Sequence, residues 1–541
     1  MKKNLSTNYH LLTTKLKKWI RDNRWEAALL FVALLVAAFL RLYRIGEYMT
    51  FLGDEGRDAI IVRRLLVDFD PILIGPGTSI GNMYLGPLYY YLIAPSLLLA
   101  NFSPVGPSVF IALLGVATCF FVWYVAREWF GKIAAIVALI FYAISPVVII
   151  YSRSSWNPNI MPFFSLLCIY AIWKVWDSLQ EGKKLKKKLV VNFKWLVVLG
   201  ILYAFVLQSH YLGLLLAPVI FIYWFLTLLN ASRLPIQNHK PIKKDIIKNS
   251  LIGLGVFAVL MSPLVIFDAR HGWNNYSAIK KFFLERQTTV SARPWNAIPK
   301  LYPLTQKILT RTVAATNEVY GKWVVIIFWF GVLLVGMRLK SLGLKNRKNQ
   351  VFLLLIGWLG VSLIGLGLYK QEIYDHYYGF FLPAIFIFIG GFIQIFLENR
   401  RISFFHYLVG LVLFVLIVIN FKNNPLKYAP NNQLRRAQKV AQLIGNEAGY
   451  DKFNLAVIAE RNYEDGYQYF LEKDKKGVFD IDPLDLENTL ADTLYVVCEL
   501  PKDKCDPTHN PKAQIANFGW SKVEGEWDLE GVTVYKLVHT N

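Results

Sequence analysis

Long apolar runs alternate with short polar segments over most of the chain. Each run has roughly 16 to 20 residues, which is close to the length that an α-helix needs to cross the hydrocarbon core of a bilayer. This pattern predicts an α-helical polytopic membrane protein with about 11 transmembrane helices. The predicted transmembrane segments are 26–44, 107–126, 132–150, 160–177, 194–209, 212–229, 249–267, 322–338, 351–369, 378–396 and 404–420.

A further apolar run, 83–100, is interrupted by Gly86, Pro87 and Pro95. Proline removes a backbone hydrogen bond and kinks a helix. A crossing here would place every later basic segment on the outer side of the membrane, whereas basic segments normally face the cytoplasm. We therefore expect 83–100 to be a re-entrant or surface-lying helix on the outer side, although a proline-kinked helix can still span a membrane.

The basic residues also predict the orientation of the chain in the cell membrane. Residues 1–25 form a basic N-terminal segment that should be cytoplasmic, because lysine and arginine are enriched in cytoplasmic loops. The other segments expected on that side are 183–188, 240–248, 338–348 and Arg400–Arg401. The segments expected on the outer side are 45–106, 151–159, 210–211, 268–321, 370–377 and 421–541.

Residues 421–541 differ from the transmembrane domain, 26–420, because charged residues return and apolar runs shorten. "NNQLRRAQKVAQLIGNEAGY" has the apolar spacing of a helix, and "FNLAVIAE", "TLYVVCEL" and "GVTVYKLV" are typical of short strands. We therefore expect a small extracytoplasmic α/β domain. An oxidising compartment would favour a disulfide between Cys498 and Cys505, the alternative being two free thiols.

The composition excludes several classes of protein. Of the 541 residues, 55% are hydrophobic and 18% are charged, which is too apolar for one soluble domain of this size. A formal net charge of +22 would suit a nucleic-acid partner. However, the lysines and arginines are dispersed in short segments between apolar runs instead of forming one basic footprint. We expect a membrane protein with no nucleic-acid partner.

The first predicted outer segment contains "GDEGRDAI", in which two adjacent carboxylates follow a predicted transmembrane helix. Charge this close to a bilayer is costly unless it has a function or a watery setting. The spacing of Ile60, Ile61 and Leu65 predicts an amphipathic helix along the membrane surface. Asp54 could be its N-cap and Glu55 a first-turn acid, or a carboxylate here could act as a general base on a hydroxyl group.

Three motifs occur in order along the chain, "GDEGRDA", "GPLYYYL" and "YSRSSWNPN". On the predicted topology, this set resembles the membrane glycosyltransferases of the C-type fold, in particular the protein O-mannosyltransferase and aminoarabinose transferase superfamily (glycosyltransferase family 39 and relatives). The resemblance implies an inverting enzyme that moves a sugar from a polyprenyl-phosphate donor to a glycan, lipid or protein acceptor at the outer face. It makes Asp54 the base, Glu55 its partner in orienting or binding, and Arg57 a substrate or phosphate contact.

The third motif departs from the pattern of these relatives. They often carry an acidic residue shortly after Ser-Arg, whereas Asn157 and Asn159 occupy that region here. A two-carboxylate metal site is therefore not expected; a divalent cation lacks support, and no cofactor is assigned. Arg153 is a candidate phosphate or sugar contact, with Asn157 as a candidate substrate contact beside it. Arg153 could instead be an interfacial arginine that snorkels from a helix end.

A phosphate leaving group needs cations or hydrogen-bond donors around it. Relatives often place a lysine or histidine before a proline pair, but the matching position in "GNMYLGPLYYY" is apolar. Other candidates stand at predicted outer helix ends, and they are His210, Arg270, His271, Lys370, His376 and Tyr377. The histidine and tyrosine candidates could equally belong to helix ends and to the interfacial aromatic belt.

Two other classes of function are compatible with the residues alone, a transporter or flippase of lipid-linked sugars and a non-catalytic membrane scaffold. A transporter is expected to show internal repeats and ionisable residues in the middle of its helices. In this chain the ionisable residues lie mainly at helix ends, and no repeat is evident. The pattern therefore favours the transferase.

Overall fold

The computed structural model of the chain describes residues 14–540 except 16, 79–80, 82, 186–192, 233–235, 286–288, 344–345 and 399–402. The part before residue 423 is mainly helical. Its α-helices are α1 (Arg24–Leu42), α2 (Ile45–Tyr48), α3 (Gly53–Val67), α4 (Leu88–Leu99), α5 (Val105–Trp129), α6 (Lys132–Ile144), α7 (Pro146–Tyr151), α8 (Met161–Leu185), α9 (Lys194–Ser209), α10 (Ala217–Ser232), α11 (Ile236–Arg270), α12 (Asn274–Leu284), α13 (Ile298–Thr312), α14 (Glu318–Leu342), α15 (Arg347–Leu368), α16 (Leu382–Glu398) and α17 (Ser403–Lys422).

Within the described residues, seven helical segments are long and apolar enough to cross a membrane. They contain α1, α5, α8, α10, α11, α14 and α15. Shorter apolar helices, including α6, α9, α16 and α17, pack between them. All eleven predicted transmembrane segments coincide with helices. The protein is therefore a multi-pass membrane protein, as its apolar pattern predicted.

Helix α4 is the structural counterpart of the ambiguous run at 83–100. It has 12 residues and a length of about 18 Å, which is short against a hydrocarbon core of about 30 Å. The Tyr90 hydroxyl donates to Asp58 in α3 at 3.0 Å, and the Tyr91 hydroxyl donates to the Ile72 carbonyl at 3.0 Å. The packing of α4 against the predicted first outer segment is in keeping with a helix that does not span the membrane, but its length does not distinguish it from α6, which has 13 residues.

Several predicted outer segments meet at one end of the helical bundle. The Thr50 amide donates to Ser154 Oγ at 2.8 Å. The His376 ring lies 4.6 Å from the Trp156 ring and 5.9 Å from the His210 ring, measured between centroids. These contacts define the site end of the bundle, which contains the segments 45–106, 151–159, 210–211 and 370–377.

The opposite end of the bundle carries a separate set of ion pairs. Helix α5 has 25 residues and is long enough, at about 38 Å, to reach from one end to the other. Near its last residue, Glu128 accepts from Arg347 at 3.1 Å, and Arg347 also pairs with Asp177 at 2.7 Å. The predicted basic segment 183–188 is described only to residue 185, and Arg400–Arg401 lies outside the described residues.

The C-terminal part is an α/β domain built on a five-stranded sheet with the order β2-β1-β3-β5-β4. Strand β1 runs parallel to β2 and β3, while β5 is antiparallel to β3 and β4. The strands are β1 (Lys452–Ile458), β2 (Gly477–Val478), β3 (Thr493–Cys498), β4 (Ser521–Leu529) and β5 (Val532–His539). The helices are α18 (Gln433–Ala448), α19 (Asp465–Lys473), α20 (Leu486–Thr489) and α21 (Ala513–Phe518).

The helix and the three strands predicted in this domain are α18, β1, β3 and β5. The sequence pattern predicted neither β2, which has only two residues, nor β4, an edge strand whose mostly exposed residues lack the apolar run that marks a buried strand. Cys498 at the end of β3 is joined to Cys505 by a disulfide, with the two Cα atoms 6.2 Å apart.

Candidate active site

Helix α3 begins directly after Leu52, which is its N-cap residue. Glu55, the third residue of the helix, accepts a hydrogen bond from the Leu52 amide at 3.1 Å. This bond satisfies an amide group at the start of the helix. The interpretation of Asp54 as the N-cap is therefore wrong. Asp54 is the second helical residue, and its carboxylate binds other side chains instead.

The Asp54 side chain is 41% exposed and lines a cavity of about 280 Å³ at the site end. Its Oδ1 accepts hydrogen bonds from Arg57 Nη1 at 2.8 Å and from the Tyr463 hydroxyl. Among the residues that the structure describes, no hydrogen bond reaches Asp54 Oδ2. The carboxylate is thus held in one orientation while one oxygen remains available. The lining residues are Thr50, Leu52, Gly53, Asp54, Glu55, Ile150, Tyr151, Ser154, Trp156, Asn159, Arg461 and Tyr463.

A second carboxylate, Asp58, lies one helical turn behind Asp54 and is only 1% exposed. It accepts from Arg57 Nη2 at 2.8 Å and from the Tyr90 hydroxyl at 3.0 Å. Burial raises the pKa of Asp58 to about 6, and the neighbouring Arg57 opposes that rise. Arg57 therefore bridges two carboxylates, and it is not among the residues that line the cavity.

Glu55 has a different environment from its neighbour. It is 8% exposed, and burial raises the pKa of its carboxyl group to about 7. A desolvated carboxyl group that already accepts a backbone amide is suited to holding the start of a helix. Of the adjacent acids, Asp54 is the one that presents an exposed carboxylate to the cavity.

The two glycines of "GDEG" lie against the C-terminal domain. A Cβ atom at Gly53 would overlap the ring of Tyr463, and one at Gly56 would overlap the backbone of Asp465 and Gly466. Only a residue without a side chain allows this approach. The glycines therefore let α19 pack directly on the first turns of α3.

Asn462 joins the same surfaces through hydrogen bonds. Its Oδ1 accepts from the Gly53 amide at 2.8 Å and from the Tyr463 amide at 2.9 Å. Its Nδ2 donates to Glu499 at 2.6 Å. The C-terminal domain thus satisfies an amide at the start of α3 and fixes the loop that carries Tyr463.

The segment 151–159, predicted to lie on the outer side, supplies structural contacts. Arg153 is 2% exposed, and its Nη1 and Nη2 donate to the carbonyls of Leu40 and Tyr43 at 2.6 and 2.7 Å. These carbonyls lie at the end of α1, where helical partners are lacking. Asn157 Nδ2 donates to the Ser209 carbonyl at 2.7 Å. Neither side chain lines the Asp54 cavity, which leaves the proposed phosphate contact of Arg153 without support.

His210, His376 and Tyr377 are brought together as a ring cluster. The Tyr377 ring lies 5.1 Å from His210 and 4.6 Å from His376. Burial lowers the pKa of His210 to about 3 and that of His376 to about 4. Without a bound ligand, burial thus favours the neutral form of both imidazoles near pH 7. His376 packs on Trp156, which lines the cavity, so this cluster supports the wall of the site.

Arg270, His271 and Lys370 do not join this site. His271 stacks on Phe267 of its own helix at 3.9 Å and shares a hydrogen bond with the Phe267 carbonyl. The Lys370 amide donates to the Thr289 carbonyl at 3.0 Å. All three candidate residues are exposed, and none of them lines the Asp54 cavity.

The arrangement of acidic, histidine and cysteine side chains bears on whether the site could bind a metal ion. Over the described ranges, no group of three or more His, Cys, Asp or Glu side chains is arranged to hold a metal ion. Asn159, at the position where an acid was sought, lines the cavity and donates to the Ser154 carbonyl at 2.8 Å.

The sequence pattern did not predict that the C-terminal domain contributes residues to the candidate site. Arg461, Asn462 and Tyr463 lie in the polar run "ERNYED", directly after the buried strand β1. A polar cluster at the carboxyl end of a parallel strand is a recognised location for binding groups. That signal could have drawn attention to the loop, but it could not have paired the loop with a residue some 400 positions earlier.

A sequence profile described as dolichyl-phosphate-mannose-protein mannosyltransferase matches residues 85–267. No curated protein sequence matches the chain. Among solved structures, ArnT from Cupriavidus metallidurans bound to undecaprenyl phosphate is similar, with a TM-score of 0.59 and 12% sequence identity. The match covers 95% of this chain and 98% of that one.

The archaeal oligosaccharyltransferase AglB from Archaeoglobus fulgidus, in complex with an inhibitory peptide and a dolichol-phosphate, is also similar. Its TM-score is 0.55 at 11% identity, and the match covers 96% of this chain and 74% of that one. The fold class and the resemblance predicted from the motifs are therefore confirmed. The chain has the C-type fold of these membrane proteins, with a C-terminal domain included in the match.

Proposed function

We propose that the protein is an inverting glycosyltransferase that moves a sugar from a polyprenyl-phosphate donor to a hydroxyl group of a glycan, lipid or protein. The observation that carries this proposal is Asp54, an oriented and half-exposed carboxylate in a cavity at one end of a membrane bundle. The matched profile names a dolichyl-phosphate-mannose enzyme, and the ArnT and AglB structures contain polyprenyl or dolichol phosphates. These likenesses favour a transferase over a transporter or a scaffold.

The chemistry assigns one task to each oxygen of Asp54. The acceptor oxygen attacks the anomeric carbon, forms a bond to it and breaks the bond between that carbon and the phosphate oxygen. The acceptor proton passes to Asp54 Oδ2, and the electron pair of the broken bond stays on the phosphate. Arg57 and Tyr463 hold Oδ1, so the carboxylate keeps its orientation through the reaction.

Orientation in the cell follows from the charge distribution. We place the N-terminus in the cytoplasm and the site end, with the C-terminal domain, outside the cell membrane, because the basic segments lie between the other helix ends. A lipid-linked donor suits this location, since its phosphate remains at the membrane surface while its sugar reaches the watery cavity. The disulfide Cys498–Cys505 is in keeping with an oxidising compartment.

The decisive experiment supplies purified protein in detergent with polyprenyl-phosphate sugars and an acceptor mixture, and measures released polyprenyl phosphate. Asp54→Asn should lower the rate by about 10²- to 10⁴-fold, because the amide cannot accept the proton. Asp68→Asn is the matched control. Asp68 lies on the exposed end of the same helix and away from the cavity, so this variant should retain the wild-type rate.

Two results would contradict the proposal. Wild-type turnover by Asp54→Asn would remove Asp54 from the role of base. Movement of intact donor across proteoliposomes, without any release of polyprenyl phosphate, would identify a transporter instead of a transferase.

A further inference from the structure

The positively charged groups near Asp54 are mostly committed to other partners. Arg57 bridges Asp54 and Asp58, and Arg153 is bound to the carbonyls at the end of α1. The His376 ring packs on Trp156 and is not among the residues that line the cavity. A phosphate leaving group in this cavity is therefore expected to use a different cation.

Arg461 meets this requirement by its location. Among the described residues that line the cavity, it is the one basic side chain. Its side chain is exposed, and no hydrogen bond or ion pair within the described ranges engages its guanidinium group.

The fold holds Arg461 in place through its neighbours. It follows β1, whose carboxyl end lies beside the parallel strand β3, and loops at this edge of a sheet commonly bind ligands. The next two residues, Asn462 and Tyr463, are bonded to Gly53 and Asp54 in α3. The loop is thus attached to the start of α3, while the guanidinium group remains available for a ligand.

We propose that Arg461, contributed by the C-terminal domain, binds the phosphate of the lipid-linked donor and stabilises it as the leaving group. This inference rests on the proposed glycosyl transfer. When the bond from the anomeric carbon to the phosphate oxygen breaks, the electron pair remains on that oxygen and the phosphate gains negative charge. A planar guanidinium group can donate two hydrogen bonds to such a phosphate. Asp54 takes the acceptor proton, so the two residues act on opposite sides of the reacting carbon.

The assignment makes the C-terminal domain part of the reaction centre. The membrane domain supplies the base on α3, and the extramembrane domain supplies the cation on the loop after β1. Close packing through Gly53 and Gly56 is then required for catalysis, because it sets the position of Arg461 relative to Asp54.

A binding experiment tests the assignment without turnover. Farnesyl phosphate, a short polyprenyl monophosphate, is titrated into the full-length protein in detergent, with farnesol as the uncharged comparison. Arg461→Gln should weaken farnesyl phosphate binding about tenfold or more and leave farnesol binding unchanged, because a charge-assisted hydrogen bond is lost. Arg461→Lys should be intermediate, since it keeps the charge without the fork geometry. Lys439→Gln, an exposed change on α18, is the matched control and should bind like the wild type.

Measurements of turnover distinguish the role of Arg461 in phosphate binding from the proposed glycosyl transfer itself. Arg461→Gln should also weaken the inhibition of transfer by farnesyl phosphate, and it should lower kcat. Its Tm should stay at the wild-type value because the Arg461 side chain is exposed. Unchanged farnesyl phosphate affinity in Arg461→Gln would overturn the assignment even if the wild type is an active transferase. An Arg461-dependent phosphate site in a protein that releases no polyprenyl phosphate would instead refute the transferase.

Discussion

Asp54 and Glu55 are neighbours in the sequence, but the start of α3 gives them different environments. Glu55 turns back to the Leu52 amide and is nearly buried, whereas Asp54 faces the cavity and binds Tyr463 across the domain boundary. Both are acids of the first helical turn, but Glu55 holds the third position, from which its side chain reaches the Leu52 amide, whereas Asp54 in the second position does not. At this scale the carboxylate to test as the base is Asp54, and we propose that Glu55, which also lines the cavity, holds the start of α3.

The buried Glu55 carboxyl predicts a pH-dependent stability. Its folded pKa of about 7 lies above the ordinary value of 4.5. The folded state therefore holds a proton that the unfolded state has lost, and stability falls as the pH rises from about 4.5 to 7. A rise from 4.5 to about 7 in the pKa corresponds to roughly 3–4 kcal/mol. Glu55→Gln should therefore show a smaller fall in Tm between pH 5 and pH 8 than the wild type.

Thermal unfolding in detergent at several pH values provides the measurement. Glu318→Gln is a suitable control, because Glu318 is an exposed acid at the start of α14, and its fall in Tm should match that of the wild type. Identical pH profiles for Glu55→Gln and the wild type would show that Glu55 is not the desolvated acid.

At the scale of elements, the packing contact between α3 and α19 determines how the two domains meet at the candidate site. Gly53 and Gly56 provide a surface without side chains, and α19 and its preceding loop occupy it. Asn462 adds a hydrogen bond to the Gly53 amide at 2.8 Å. An apolar contact alone would allow the domain to shift, whereas close backbone approach and this directed hydrogen bond define one register.

Gly56→Ala tests the packing contact between α3 and α19. The added methyl group would overlap the backbone of Asp465 and Gly466, which cannot move without displacing α19. Overpacking of this kind typically costs about 1–3 kcal/mol. We expect a lower Tm, faster proteolytic cleavage between α17 and α18, and reduced transfer activity. Gly410→Ala, in an open position of α17, should have none of these effects. A Gly56→Ala protein with wild-type proteolysis and activity would rule out a tight contact.

At the scale of the whole molecule, the helix bundle separates two kinds of polar groups. The site end carries the carboxylates, the ring cluster and the C-terminal domain, while the other end carries the pairs of Arg347 with Glu128 and Asp177. The short helix α4 packs on α3 at the site end. We expect that it does not cross the bilayer, because a crossing there would place the later basic segments outside.

Reporter fusions test the resulting topology. A reporter after residue 105 should lie outside the membrane and one after residue 185 should be cytoplasmic, because three predicted crossings separate them. Alkaline phosphatase, active outside, and green fluorescent protein, fluorescent inside, give opposite signals at each position. If 83–100 crossed the membrane, both assignments would be reversed, so that result would overturn the expected orientation.

The sequence by itself determined the membrane architecture. Length and apolarity are properties of contiguous residues, so the eleven helical segments, the short helix at 83–100 and the strands β1, β3 and β5 could be predicted directly. The acid pair "DE" also drew attention to a segment that lines a cavity in the structure. The edge strand β4 was missed because its exposed polar residues carry no comparable local signal.

Only the tertiary structure decided which side chains form the site. Tyr463 reaches Asp54, Arg153 is taken up by the carbonyls at the end of α1, and the exposed Arg461 lines the cavity. These contacts join residues that are far apart in the chain. The pattern of a single sequence does not indicate which distant residues come into contact. The ionisation of Glu55 and His376 likewise depends on burial by surrounding elements. Local pattern determined the helices, and long-range packing determined the chemistry between them.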